Sequence, residues 1–293
     1  VTMVLVQALL YGIATGAVYG LIALGLSLQF GVMKIVNFAH GAFLMASMYA
    51  AVWLARYGGL HPLVLIPVVA VIFFVIGLII QRWLIEPIYR KEATREPIGV
   101  LIFTTGLWLF IDHLFLMIAG PNYQVLPGRW ANTILLLGDY IFTYPQVFGF
   151  LIACAVTLAL VLYLRYTRVG RIIRATGQDR EAASVCGINS SWVYQVAFGI
   201  SMAVLGIAGS LLLPLYPVNP FVGDVFVLRA FVIVVLGGMG SVAGAFWGGI
   251  LVGVLESVGA QLMPISMAEI LIFGTFLLVL YWRPSGLFGL ESQ

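Results

Sequence analysis

Nine apolar stretches organise the chain, at about residues 3–28, 37–56, 62–83, 97–119, 145–166, 192–213, 225–238, 242–262 and 268–282. Several approach or exceed the roughly 20 residues a helix needs to cross a 30 Å hydrocarbon core. None alternates over about ten residues as the strand of a membrane barrel does. Backbone amides inside a bilayer have no water to bond, so segments of this kind close their hydrogen bonds internally as helices. Only 9% of the 293 residues are charged, whereas about a quarter are in soluble domains. The expected fold is an all-α polytopic membrane protein, a single transmembrane domain over residues 1–293 with about eight to nine membrane segments.

The positions of the charges say more than their sum of +3. Arg82, Arg90, Lys91 and Arg95 fall in one loop and Arg165, Arg168, Arg171, Arg174 and Arg180 in another. The 120–144 loop has only Arg129, and 214–224 has no Lys or Arg. The positive-inside rule makes the first two loops cytoplasmic, the other two external, and the C-terminus with Arg283 cytoplasmic. The basic residues lack interleaved aromatic platforms, which argues against nucleic-acid binding. Arg168, Arg171 and Arg174 suit membrane-lipid headgroups beside a membrane exit. Cys154 sits in an apolar stretch and Cys186 in the basic insert, so no disulfide or metal site follows. The first apolar stretch has no basic leader or cleavage pattern, which makes it a first membrane helix rather than a removable signal.

The basic insert at about 167–191 carries RIIRATGQDREAASVCGIN over residues 171–189. Asp179 can cap a helix, residues 180–186 supply about two turns, and Gly187 can take the left-handed conformation that ends them. A short helix thus projects from the membrane domain on the side assigned to the cytoplasm. Glu181, Ala182 and Ala183, followed by Gly187 after three residues, resemble the E-A-A-x-x-x-G element by which membrane subunits of ATP-binding-cassette importers dock on their ATPases. The only lysines, Lys34 and Lys91, belong to no G-x-x-x-x-G-K-[ST] sequence, so if ATP drives this protein another chain binds it.

Two interruptions break the apolar pattern, QFGVMKIVNFAHGAF at 29–43 and LGGMGSVAGAFWGG at 236–249. Backbone groups freed at membrane depth need protein, water or cargo as partners, so discontinuous or re-entrant helices beside a cavity are expected. Asn37, His40 and Gly41 at the first break, and Gly238, Gly240 and Ser241 at the second, are candidate pathway residues. The competing reading gives them to the broken backbone and to neighbouring helices. The echo between AHGAF at 39–43 and SVAGAF at 241–246 marks a candidate internal repeat. Gly12, Gly16 and Gly20, with Gly244, Gly248, Gly249 and Gly253, suit close helix packing. Asp112, His113 and Glu256 define the rival mechanism, a proton-coupled carrier, because ionisable groups in apolar spans are costly; a passive channel is a third. Adjacent Asp112 and His113 point about 100° apart, which favours structural contacts over one relay.

Four ordered motifs make the resemblance specific: GLIALGLSLQFGVMKIVNFAHGAF at 20–43, the 171–189 insert, the 236–249 break and RPSGLFG at 283–289. Together they resemble the LivH-type permeases of branched-chain amino-acid ABC importers along nearly the whole chain. The resemblance implies a bacterial inner-membrane, multi-pass permease with no cofactor of its own and ATP and magnesium held by partner subunits. It further implies a LivM-like second permease, two cytoplasmic ATPases and a periplasmic substrate-binding protein. Docking is carried over to Asp179, Arg180, Glu181, Ala182, Ala183 and Gly187. The extended importer signature ending I-x-L-P is not recognisable after Gly187, so the docking geometry is expected to differ from that of other importer classes.

Overall fold

A computed structural model of the chain describes residues 2–91, 98–126, 133–137 and 140–289. Arg95 and Arg129, used above to orient loops, lie outside the described residues. The helices are α1 (Thr2–Met33), α2 (His40–Gly58), α3 (Pro62–Ile80), α4 (Glu86–Lys91), α5 (Ile98–Ala119), α6 (Tyr144–Tyr166), α7 (Arg168–Gln178), α8 (Arg180–Val185), α9 (Ser190–Leu212), α10 (Val222–Gly237), α11 (Val242–Leu262) and α12 (Ile265–Trp282). A π-helical turn at Gln81–Ile85 joins α3 to α4 without a break, so this rod runs past the end expected near residue 83. Among the described residues the regular secondary structure is helical apart from one short hairpin that the sequence pattern does not announce. Its strands β1 (Ile134–Leu137) and β2 (Tyr140–Thr143) are antiparallel, with Ile134 opposite Thr143.

Among the described residues six helices are long and apolar enough to cross a bilayer unaided: α1, the α3–α4 rod, α5, α6, α9 and α11. The expected further segments are helical too, but α10 has 16 residues, the apolar part of α12 is Glu269–Trp282, and α2 is interrupted by polar residues. Burial separates the six by position. In α1, 78% of the most apolar window is buried, against 17% in α5, so α1 is the axis of the bundle and α5 lies at its rim.

One side of α1 meets α11 through glycine. A Cβ on Gly16 would stand 2.7 Å from the Gly249 carbonyl oxygen and 2.8 Å from Ile250 Cα; one on Gly12 would stand 2.7 Å from the Gly253 oxygen. Side chains of any size would hold these backbones apart, so the glycine spacing is what permits the approach. Another side of α1 meets α9, which in turn carries α3, with Gly206 against Val69 and Phe73 and Gly77 against Met202.

The two ends of the bundle differ. At one end lie Met33, α4, α7, α8 and the start of α9: Tyr89 donates to the Met33 carbonyl at 3.5 Å, and Gly177 packs on Gly31. At the other, Gln7 donates to the Ile141 carbonyl of the hairpin at 3.2 Å, and Gln124 pairs with Val218.

Candidate functional site

The short helix α8 forms where local chemistry requires it. The Asp179 carboxylate accepts from the amides of Glu181 at 2.9 Å and Ala182 at 3.0 Å, satisfying two donors that have no partner within the helix. Gly187 ends the helix at φ +80°, and its amide donates to the Ser184 carbonyl at 3.0 Å. The docking residues then divide by direction. Arg180 lies over the rings of Tyr89 and Tyr194, 5.0 and 5.7 Å from their centroids, and Ala183 is buried. Arg180 thus fixes α8 to α4 and α9, and Ala183 marks the side of α8 that faces the protein. Glu181, Ala182 and Gly187 face outward, joined by Val185, which is 88% exposed. Val185 went unnoticed in the sequence because its exposure depends on which side of the helix Ala183 buries.

The first interruption is narrower than the sequence pattern marks. Helix α1 continues through Gln29 and Gly31 to Met33, and only 34–39 is non-helical, with Lys34 at φ +56°. The chain then folds back so that His40 Nε2 donates to the Ile22 carbonyl at 2.9 Å. Asn37 donates to Gln29 Oε1 at 3.0 Å and accepts from the Ala39 amide at 3.0 Å. Gln29 donates to Ser201 Oγ at 2.8 Å, and Ser201 to the Gly25 carbonyl at 2.6 Å. This connected chain ties α1, the break and α9 together within the bundle. Asn37 and His40 are buried, and Gly41 packs so closely on α10 that a Cβ would stand 2.5 Å from the Gly223 oxygen.

At the second interruption Gly238 and Gly240 take φ +94° and +87°, conformations costly for residues with a Cβ. Ser241 caps α11 by accepting from the Gly244 amide at 3.1 Å, and its carbonyl accepts from Ser27 at 3.2 Å. The C-terminal motif explains itself here: the amides of Leu287 and Phe288 donate to the Leu236 and Gly237 carbonyls at 2.8 and 3.3 Å. The tail thereby supplies partners for the last carbonyls of α10. Gly31 touches Gly240, so the two breaks border the last turns of α1 without their six singled-out residues forming one cluster. Gly240 is exposed and Ser241 half-buried, whereas Gly238 is covered by the tail.

A charged cavity lies elsewhere, between the first half of α1, Arg229 of α10, the second half of α11, Glu269 of α12 and Tyr216. Its volume is about 530 Å³. Arg229 Nη2 pairs with Glu256 at 2.8 Å, and Nη1 donates to the Tyr19 hydroxyl at 3.1 Å. That hydroxyl is 2.6 Å from the Tyr216 hydroxyl, whose proton is retained more firmly than usual because burial pushes the phenol up. Arg229 is a site residue missed from sequence, although an arginine within an apolar stretch is itself a signal. Glu256 is therefore an ion-pair partner, and Glu269 lines the same cavity. Asp112 belongs to another neighbourhood, near Trp108, which donates to Asp224 at 2.9 Å. His113 turns outward and bonds the Leu109 carbonyl at 2.8 Å.

Residues 8–280 match the family described as branched-chain amino acid transport system / permease component. The chain is 30% identical to the high-affinity branched-chain amino acid transport system permease protein BraD of Pseudomonas aeruginosa, over 97% of this chain and 95% of the relative. The same values hold for the permease protein LivH of Salmonella typhimurium, and LivM of that organism is 26% identical over 92% of this chain and 67% of its own length. With the family profile spanning nearly every helix of the bundle, the chain belongs to the permease components of branched-chain amino acid ABC transport systems, as a non-catalytic, multi-pass membrane subunit.

Proposed function

We propose that this subunit conducts its cargo by alternating access and receives the work for it through α8. The observation that carries the reading is the two-sided construction of that helix: Arg180 is fastened to α4 and α9 and Ala183 is buried, while Glu181, Ala182, Val185 and Gly187 face away from the chain. A rigid capped helix attached on one side and open on the other can hand a partner's displacement to the membrane helices behind it. The partners are two cytoplasmic ATPases, which bind ATP and magnesium, a LivM-like second permease, and a periplasmic protein that delivers the amino acid. The α8 end faces the cytoplasm of a bacterial inner membrane and the Tyr216 end faces outward, in keeping with Arg165, Arg168, Arg171 and Arg174 at the α8 end.

The pathway runs on the α10–α11 side of α1, past Gly240 and Ser241. Asn37, His40 and Gly41 border it from behind, where their bonds hold the start of α2 against α1 and α10. Reconstitution with the partner subunits in liposomes tests this through uptake of labelled leucine, with and without ATP and binding protein, the proton gradient clamped. Uptake should need both and survive gradient collapse. Uptake that ignores ATP and stops on collapse would return the mechanism to the acidic residues.

A further inference from the structure

The ion pair Arg229–Glu256 lies at mid-depth in the bundle, at the inner end of a cavity that reaches Val4 and Gln7 on the side opposite α8. We infer that the cavity around it binds the charged head of an aliphatic amino acid, Arg229 with the Tyr19 and Tyr216 hydroxyls taking the carboxylate and Glu256 with Glu269 taking the ammonium. The inference rests on the permease reading and assigns a position to its cargo.

Three observations support it. A guanidinium has five N–H donors, and those of Arg229 make two hydrogen-bonding contacts among the described residues, to Tyr19 and Glu256. The remaining donors, with the one phenol proton that the hydrogen bond between the Tyr19 and Tyr216 hydroxyls leaves free, can converge on one carboxylate in the two-pronged manner that arginine favours. Second, the cavity is lined by two carboxylates, Glu256 and Glu269, against one guanidinium, so an incoming ammonium meets a surplus of negative groups. Third, Val4, Ala8 and Ala260 line the same space and offer an apolar wall to a branched side chain. Its volume of about 530 Å³ lies within the roughly 300–1,000 Å³ of small-molecule sites. The three linings match the three parts of such an amino acid.

The test places one cysteine at the cavity, Ala260→Cys or, should that variant assemble poorly, Gln261→Cys, with Cys154 and Cys186 replaced by serine. The complete complex in proteoliposomes is alkylated with N-ethylmaleimide in the presence of leucine or of 3-methylbutylamine, which lacks the carboxylate. Leucine at ten times its dissociation constant should slow labelling about tenfold, whereas the amine at equal concentration should not. Arg229→Gln should abolish the protection, measured against that variant's own labelling rate without leucine, and Arg229→Lys, which keeps the charge and loses the fork, should retain only part of it. Equal protection by the amine, or none by leucine in vesicles whose ATP-driven uptake is intact, would overturn the assignment. Protection by leucine in vesicles whose uptake proves independent of ATP would instead sink the importer reading and leave the cavity assignment standing.

Discussion

Replacing Gly16 by alanine tests whether the α1–α11 seam holds the bundle together. The new methyl carbon would sit 2.7 Å from the Gly249 oxygen, 2.8 Å from Ile250 Cα and 3.1 Å from the Ile250 oxygen. Carbon atoms in contact prefer about 3.5–4.0 Å, so the two backbones have to part by about 0.7 Å or more. Every one of those neighbours is main chain, and no rotamer change relieves the clash. Overpacking costs about 1–3 kcal/mol, and the upper end applies where both obstacles are backbone. Alanine's better helix propensity returns about 1 kcal/mol, leaving a net loss of about 2 kcal/mol. Gly106 provides the control, since a Cβ there meets nothing within 4 Å; Gly106→Ala keeps the propensity gain of about 0.5–1 kcal/mol without the clash. The two variants should therefore move in opposite directions when the purified subunit is melted in detergent and followed by circular dichroism. A Gly16→Ala midpoint at or above that of the unmodified protein would refute the seam as drawn.

At the docking helix, Glu181→Arg should leave the melting midpoint unchanged and reduce ATPase copurification, because its side chain faces outward; undiminished recovery of the ATPases would remove Glu181 from the interface. Asp179→Ala should destabilise α8 by about 0.5–2 kcal/mol through loss of its cap, seen as faster proteolysis around residues 179–187 with the membrane core unaltered. Asn37→Leu strands the carboxamide of Gln29 and the Ala39 amide within the bundle, at about 1–3 kcal/mol for each unsatisfied group. It should lower the melting midpoint, and a variant that melts normally yet loses uptake would instead favour Asn37 as a direct contact of the cargo. Gly240→Val should be poorly folded because φ +87° is costly for a β-branched residue, and a normal expression level and midpoint would contradict the turn at 238–241.

The positions of the helices were legible because burial in lipid and burial in protein make the same demand on sequence. Each of the nine apolar stretches is helical, from α1 to α12. What the pattern could not supply was where a polar residue may be absorbed. By its polarity Gln29 closes the first apolar stretch near residue 28, yet its side chain finds Asn37 and Ser201, and the helix passes through to Met33. The rod beyond residue 83 continues although Pro87 stands in it: the π-turn places Gln81 and Ile85 inside the bundle, and Pro87 falls in the first turn of α4, where a missing amide is tolerated.

The same distinction governs the sites. Asp179 and Gly187 were readable because a cap joins a side chain to amides two and three residues on, and a left-handed terminator needs only its own φ. Arg229 is different in kind. Its partners Tyr19 and Glu256 come from α1 and α11, and Tyr216 joins from the loop before α10, so no local pattern connects the four. An arginine in an apolar stretch can be flagged from composition alone, but its meaning depends on whether the acid that neutralises it also opens onto a cavity. Asn37 and His40 show the converse: both satisfy the expectation that polar groups in a membrane segment avoid lipid, and both do so with protein partners rather than an open space. At this break Asn37 and His40 Nε2 have protein partners, and only the packing around α1 distinguishes a structural bond from a binding site.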